Sequence, residues 1–485
     1  MRIAVVGVGA AGLAMSFALT ERIGESFNMT LFDPSFQREH RVARGFPYQP
    51  DDIEPLLNAP ARMMSVKSGD EHHFLRWLDR SRGTSSELNP YVSRPTFGTY
   101  LRESFAELRQ VWNSRDGVLH CVPEEVLELT GAPGDYTLRT GGAIYFGFDH
   151  VILCLGWSAK TSEQPEGHLA AYPLATALEG ALAVDHVGII GTGLTSVDVI
   201  RGLLLRGFQG KITAASRRGL LPAARNEAGA IELKLYTRDA LRGRDHMSLS
   251  ESLTLLRAEA DLQGVALTVP SSMMRGIHDQ SQHVEYLSSG LHDSWSDLFV
   301  KLCDESACDT WNLFDVASRR AFRQLLHPYF QVWCNPMPPS TARLLRDAIA
   351  AGQLEVRSGL AAVQGRGFAF NDGVRTQTQV VIDASRQASA SIASVDTELL
   401  TGMRRSGLVV PDAFGGVQVK YGTWEVLSES GNAQNVYAVG SLTQGPRYYV
   451  SALDSIVRAV SEVAGAISNR VGNSIRASAT ISGVL

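Results

Sequence analysis

The sequence predicts an α/β fold built from two repeated strand–turn–helix–strand units, accompanied by a mostly helical segment. Three observations carry this. The apolar run Ile3 to Val6 leads directly into Gly7-Val8-Gly9-Ala10-Ala11-Gly12, and a second apolar run, Met29 to Phe32, ends at Asp33. The pattern returns at Val187 to Ile190, Gly191-Thr192-Gly193-Leu194-Thr195-Ser196 and Lys211 to Ala215. Two further apolar runs, Asp149 to Leu155 and Val436 to Val439, stop at Gly156 and Gly440.

Strand, glycine turn, helix, strand and acid in that order is the layout of a Rossmann-like dinucleotide-binding unit. Gly7 allows a sharp turn, Gly9 allows close approach of a pyrophosphate, and Gly12 lets helix and strand pack closely. Ala10 and Ala11 open a helix whose free N–H groups and partial positive charge face phosphates. Asp33 is placed to accept hydrogen bonds from a ribose diol. In the second unit Ser196 replaces the third glycine, and Ser216-Arg217-Arg218 stands where the first unit has its acid. Cationic and hydroxyl groups there suit a ribose 2′-phosphate, so the second unit is expected to take NADPH. The alternative is a second unit that binds no nucleotide.

At 485 residues the chain needs more than one core. Hydrophobic residues make up 44% and charged residues 20%, the balance of a soluble globular protein. A net charge of −5 gives no reason to expect nucleic acid or an anionic membrane as partner. No apolar run is long enough for a membrane span, and a cytoplasmic location is expected. Arg2 and the apolar run after it imitate a signal peptide, but cleavage there would destroy the first unit. Five scattered cysteines, Cys121, Cys154, Cys303, Cys308 and Cys334, read as free thiols. Cys303 and Cys308 have the spacing of a redox pair, yet their mid-chain position favours two ordinary thiols.

Pro34 to Lys67 reads as a loop, because proline and glycine recur through it. Helices are expected at Glu71 to Leu78 and Phe97 to Trp112, and strands at Val118 to Leu129 and Tyr136 to Leu138. From Asn226 to Gln331 the pattern is helical and irregular. His246, His278, His283 and His292 lack metal-ligand spacing, so no metal site is assigned. A strand starts at Leu354, another spans Val380 to Ile382, and a helix follows from about Ala452 to Ile467. The residues from Arg470 onward are expected to fray.

The segments GVGAAG (7–12), GFPYQ (45–49), LLNAPARMMS (56–65), FLRWL (74–78), FGTYLRE (97–103), GTGLTSVDV (191–199), SRRGLLP (216–222) and VYAVGSLTQG (436–445) together resemble the bacterial FAD/NAD(P)-binding two-dinucleotide flavoproteins. That group includes flavin-dependent amino-acid N-hydroxylases. The resemblance implies an FAD domain (1–160 and 356–470) interrupted by an NADPH domain (161–225 and 336–355). It leaves 226–335 as a helical insertion on the substrate side and 471–485 as a flexible tail. It puts Gly7, Gly9, Gly12 and Asp33 on the ADP half of FAD and Asn58 and Met64 near the isoalloxazine. Val126, Gly156, Gly440 and Leu442 are further cofactor candidates. Leu155, Trp157 and Ser385-Arg386 depart from the Ala-Thr-Gly and Thr-Gly endings of N-hydroxylating relatives.

The implied activity is an NADPH-dependent monooxygenase that uses O₂, through a C4a-hydroperoxyflavin, on a nitrogen of an amino acid or other small amine. Such chemistry belongs to the cofactor and needs no protein nucleophile. Arg225, Lys234 and Arg323 are candidate carboxylate partners for the substrate. The alternatives are an NAD(P)H-dependent flavin reductase without oxygen transfer, or a non-catalytic flavin-binding sensor. The apolar loops are also compatible with a homo-oligomer.

Overall fold

β1 (Arg2–Val6) exposes only its first residue and sits inside a seven-stranded sheet. The computed structural model describes residues 1–24, 26–50, 55–82, 91–156, 165–226, 231–277, 279–385, 397–450 and 452–482. Trp157, His278 and Arg386 lie outside the described residues. The chain forms two compact units. One comprises Met1–Pro50, Pro60–Ala159 and Ala390–Leu485; the other comprises Asp51–Ala59 and Lys160–Ser389.

In the first unit the strand order is β16 (Val419–Lys420), β17 (Glu425–Leu427), β18 (Ala433–Ala438), β7 (His150–Leu153), β1, β2 (Asn28–Phe32) and β3 (Leu119–Val122). The strands from β18 to β3 are parallel. The inner strands β1, β2 and β7 are buried along nearly their whole length, as a sheet covered on both faces requires. Helix α1 (Ala10–Arg22) crosses from β1 to β2, whereas β7 pairs on the other side of β1. The chain therefore switches direction at β1, which is where open α/β sheets bind ligands. Register brings the strand ends level: Val6 lies opposite Phe32 and Leu153, and Ala438 opposite Leu153.

Three features complete this unit. Helices α2 (His73–Arg82) and α3 (Arg94–Trp112) follow the loop, and the Ser93 side chain caps α3 by accepting from the Thr96 N–H. A small antiparallel sheet joins β4 (Val126–Ala132), β5 (Asp135–Thr140) and β6 (Ile144–Phe148). The C-terminal helix Leu453–Ser482 buries Val460, Val463, Ala464 and Ile467, and its Ser461 accepts a hydrogen bond from Arg22 of α1 at 2.6 Å. Helix thus continues to Ser482, where a flexible tail from 471 was expected.

The second unit repeats the switch. Its all-parallel sheet runs β11 (Leu354–Arg357), β10 (Lys211–Ala215), β9 (His186–Ile190), β15 (Val380–Asp383) and β8 (His168–Ala170). Helix α5 (Leu194–Leu205) leads from β9 to β10, and β15 pairs on the other side of β9. α4 (Leu174–Ala181) precedes β9, and a second antiparallel sheet joins β12 (Leu360–Gln364), β13 (Gly367–Phe370) and β14 (Arg375–Gln377). The expected return to the first domain at 356 is corrected by these pairings. β11 hydrogen-bonds to β10 and β15 to β9, so the chain stays in the second unit until about residue 389.

Helices fill the interval from β10 to β11: α6 (Arg238–Leu241), α7 (Leu249–Leu262), α8 (Thr268–Met274), α9 (Gln280–His292), α10 (Trp295–Glu305), α11 (Ala307–Leu313), α12 (Val316–Leu325), α13 (His327–Cys334) and α14 (Pro339–Ala350). Trp295, Trp311, Phe299 and Trp333 pack among them. Cys303 of α10 and Cys334 of α13 are joined by a disulfide, so the expectation of free thiols throughout is corrected. No helix among the described residues is long and apolar enough to cross a membrane.

Candidate functional site

The level strand ends of the first unit gather Gly7, Asp33, Gly156 and Gly440 at one sheet edge. Gly7 has φ +89°, and a Cβ on it would overlap the Cys154 carbonyl. A Cβ on Gly12 would overlap the carbonyl oxygen of Gly7, so this glycine lets α1 start directly on the strand. Gly9 has an ordinary φ of −82°, and its nearest neighbour is the Cα of Gly45, 3.3 Å from where a Cβ would stand. Ala10 and Ala11 form the first turn of α1, which begins without a side-chain cap. Its leading N–H groups are thereby left for another acceptor.

Asp33 spans this turn. Its Oδ2 accepts from the Val8 N–H at 2.6 Å and its Oδ1 from the Ser35 N–H at 2.8 Å. Each oxygen keeps a lone pair, so the carboxylate is oriented without being saturated. Gly156 (φ +65°) accepts at its carbonyl from Ser441 Oγ at 2.6 Å, which ties the ends of β7 and β18 together. Gly440 (φ +79°) has open space where a Cβ would be, and Leu442 is buried in the turn that follows. Met64 is buried just after the turn Ala61–Met63, and Val126 is buried at the start of β4. Asn58 is half-buried and falls in the segment grouped with the second unit.

Sequence reasoning passed over Arg447. It is only 3% exposed, and its Nη2 donates to the Ser455 carbonyl at 2.9 Å. Its guanidinium stands 4.4 Å from the Trp424 ring centre, while Nε and Nη1 are buried without hydrogen-bond partners. No local pattern signals this, because Trp424 and Ser455 lie on elements either side of the short turn that carries Arg447.

In the second unit Gly191 has φ +102° and packs against the backbone at Ala384. Gly193 has an unstrained φ of −81°, nothing within 4 Å of a Cβ position, and α5 begins after it without a side-chain cap. Packing therefore gives no reason for a glycine at 193, whereas close approach of a phosphate does. Ser196 is fully buried and its hydroxyl has no hydrogen-bond partner.

The three residues after β10 have different roles. Ser216 Oγ accepts from the Gly219 N–H at 2.8 Å and lies 3.0 Å from Thr192 Oγ1, so it shapes the turn. Arg218 Nη1 donates to Tyr329 Oη at 3.2 Å and lies 5.3 Å from that ring's centre. Arg217 is exposed, and its side chain makes no hydrogen bond or ion pair among the described residues. Of the candidate substrate anchors, Lys234 is exposed, and Arg323 is half-buried beside His327. Arg225 is half-buried with its Nε enclosed and unpartnered.

These arrangements fit two dinucleotides, because each unit supplies an uncapped helix start at its topological switch. Residues 4–158 match the FAD-NAD(P)-binding family model. The FAD-NAD(P)-binding match covers the first glycine turn, Asp33, Met64, Val126 and Gly156. No curated protein matches the sequence.

Solved structures match across nearly the whole chain. The ornithine N-hydroxylase of Kutzneria sp. 744 is 13% identical, with a TM-score of 0.53, covering 97% of this chain and 99% of that one. The L-lysine 6-monooxygenase of Pseudomonas syringae is 12% identical at TM-score 0.54, with 96% and 99% covered. The ornithine hydroxylase of Pseudomonas aeruginosa is 12% identical at TM-score 0.53, with 97% and 99% covered. The chain thus has the two-dinucleotide flavoprotein fold that its motifs imply.

Proposed function

We propose that this protein is an FAD- and NADPH-dependent monooxygenase that hydroxylates a nitrogen of an amino acid or another small amine. The observation that carries the cofactor assignment is the contrast between the two units. One ends its second strand in an oriented carboxylate, Asp33, and the other in an exposed Arg217 that has no hydrogen bond or ion pair among the described residues. FAD, when bound, supplies the two-electron chemistry and the reaction with O₂.

The chain's own work is binding and orientation. The N-terminus of α1 and the glycine turn would hold the FAD pyrophosphate, and Asp33 its ribose. The N-terminus of α5, with Gly193 in front of it, would hold the NADPH pyrophosphate, and Arg217 its 2′-phosphate. Arg225 would hold a substrate carboxylate, since an enclosed guanidinium nitrogen without an acceptor is costly until an anion arrives. The fold shared with lysine and ornithine hydroxylases supports an amine as substrate.

The test mixes FAD-loaded protein with NADPH without oxygen, then admits air with a panel of amino acids and amines. Bleaching of the flavin followed by a product carrying one added oxygen on nitrogen is the expected result. Bleaching with only hydrogen peroxide formed, for every amine, points to a reductase. No bleaching at all points to a sensor.

A further inference from the structure

Away from the glycine turns, the first unit has a polar cleft of about 670 Å³ beside α2 and α3, within the volume range of small-molecule sites. Its walls carry three cations, Lys67, Arg76 and Arg80, and three carboxylates, Asp70, Glu103 and Glu107. Four of the six are neutralised within the cleft. Lys67 Nζ pairs with Glu107 Oε1 at 2.5 Å, and Arg76 pairs with Asp70. His73 adds no charge. Burial, then the neighbouring Lys67 ammonium, hold its pKa below the usual histidine range, while its Nδ1 lies 2.9 Å from Tyr100 Oη.

Arg80 and Glu103 remain. Arg80 is exposed and makes no ion pair among the described residues. Glu103, half-exposed, accepts from the neutral Trp77 indole N–H at 2.8 Å and meets a cation only at 3.8 Å, through its chain neighbour Arg102. Trp77 lies on the same cleft, one helical turn before Arg80. Deeper in the lining, the Ser104 hydroxyl is 2% exposed and sits beside Tyr100 without completing a hydrogen bond. A buried hydroxyl without a partner is a cost that a polar ligand or ordered water removes.

We infer that this cleft binds a small zwitterion, an amino-acid-like molecule whose carboxylate meets Arg80 and whose ammonium meets Glu103. Arg80 without an ion pair among the described residues and Glu103 with only a long contact to Arg102 put one charge of each sign in one cleft, complementary to a molecule carrying both. A simple anion would leave Glu103 uncompensated, and a simple cation would leave Arg80 so. None of the residues that line it belongs to either glycine turn.

The test follows the Trp77 indole N–H resonance of isotope-labelled, FAD-loaded protein, assigned with Trp77→Phe. L-alanine, L-glutamate and L-arginine are titrated in turn, with acetate and methylamine as half-ligands. A saturable shift with at least one amino acid, and roughly tenfold weaker binding of both half-ligands, is expected. Arg80→Gln and Glu103→Gln should each weaken binding by about tenfold, with FAD content and Tm unchanged. The charge swap Arg80→Glu with Glu103→Arg should recover part of the loss. No shift with any amino acid, equal binding of a half-ligand, or full affinity in both single variants would overturn the assignment.

Discussion

Gly12 and Gly193 look equivalent as letters in two glycine turns, yet space distinguishes them. A methyl at 12 collides with a backbone carbonyl, whereas one at 193 meets nothing and requires no unusual φ. Gly12→Ala should therefore destabilise the first unit by at least about 1–3 kcal/mol and lower FAD content, read by denaturation and by absorbance. Gly193→Ala should change stability by less than about 0.5 kcal/mol while raising the KM for NADPH. A stable Gly12→Ala protein with full flavin would refute the packing argument. The arginine pair divides in the same way. Arg217→Ala should raise the KM for NADPH about ten- to a hundredfold, with little effect on NADH, as expected for loss of a charge-assisted contact. Arg218→Ala should instead act on stability, because Tyr329 already engages that side chain. The turn and its acid were legible because local spacing encodes them. The distinction between Arg217 and Arg218 was not, because Tyr329 is more than a hundred residues away in the chain.

At the scale of elements, local apolar runs located β1, β2, β7, β9, β10, β15 and β18 but did not say which sheet each joins. β15 illustrates this. Val380 to Asp383 is as apolar as a strand of either sheet, and only its pairing with β9 assigns it to the second unit. The Cys303–Cys334 link was likewise hidden, since cysteine counting reports parity and spacing but not the approach of α10 and α13. Both cysteines are buried, at 3% and 2% exposure, and are separated by 31 residues. A closed loop of that length stabilises by about 2–4 kcal/mol in the chain-entropy account. Cys334→Ser should lower the denaturation midpoint of the second unit accordingly. Since α13 also carries Tyr329, the same variant should loosen the Arg218 contact while leaving the KM for NADPH, which rests on Arg217, little changed. Peptide mapping under non-reducing conditions checks the link itself; two free thiols at 303 and 334 would remove the basis for this prediction.

At the scale of the whole molecule, two buried histidines, His150 and His283, and the half-buried His327 make stability depend on mildly acidic pH. Desolvation is the first cause at each, and it lowers His150, His283 and His327 to about 4. Each is therefore neutral in the folded protein over a range in which the unfolded chain, with a histidine pKa near 6.5, takes up a proton. The sign follows from linkage. Where the unfolded state binds more protons, stability rises with pH, so the histidine contribution is complete above about pH 6.5 and is lost as pH falls toward 4. The limiting loss is roughly 3 kcal/mol per group. His150 belongs to the first unit and His283 and His327 to the second, so both units should weaken over the same interval. Denaturation midpoints measured from about pH 7.5 to pH 5 should decline steadily. His283→Leu should make the decline of the second unit shallower, because His283 is 2% exposed and its Nδ1 has no hydrogen-bond partner to lose. A midpoint that stays flat across the interval, or a slope unchanged in His283→Leu, would show that these imidazoles are solvated rather than held neutral by the core.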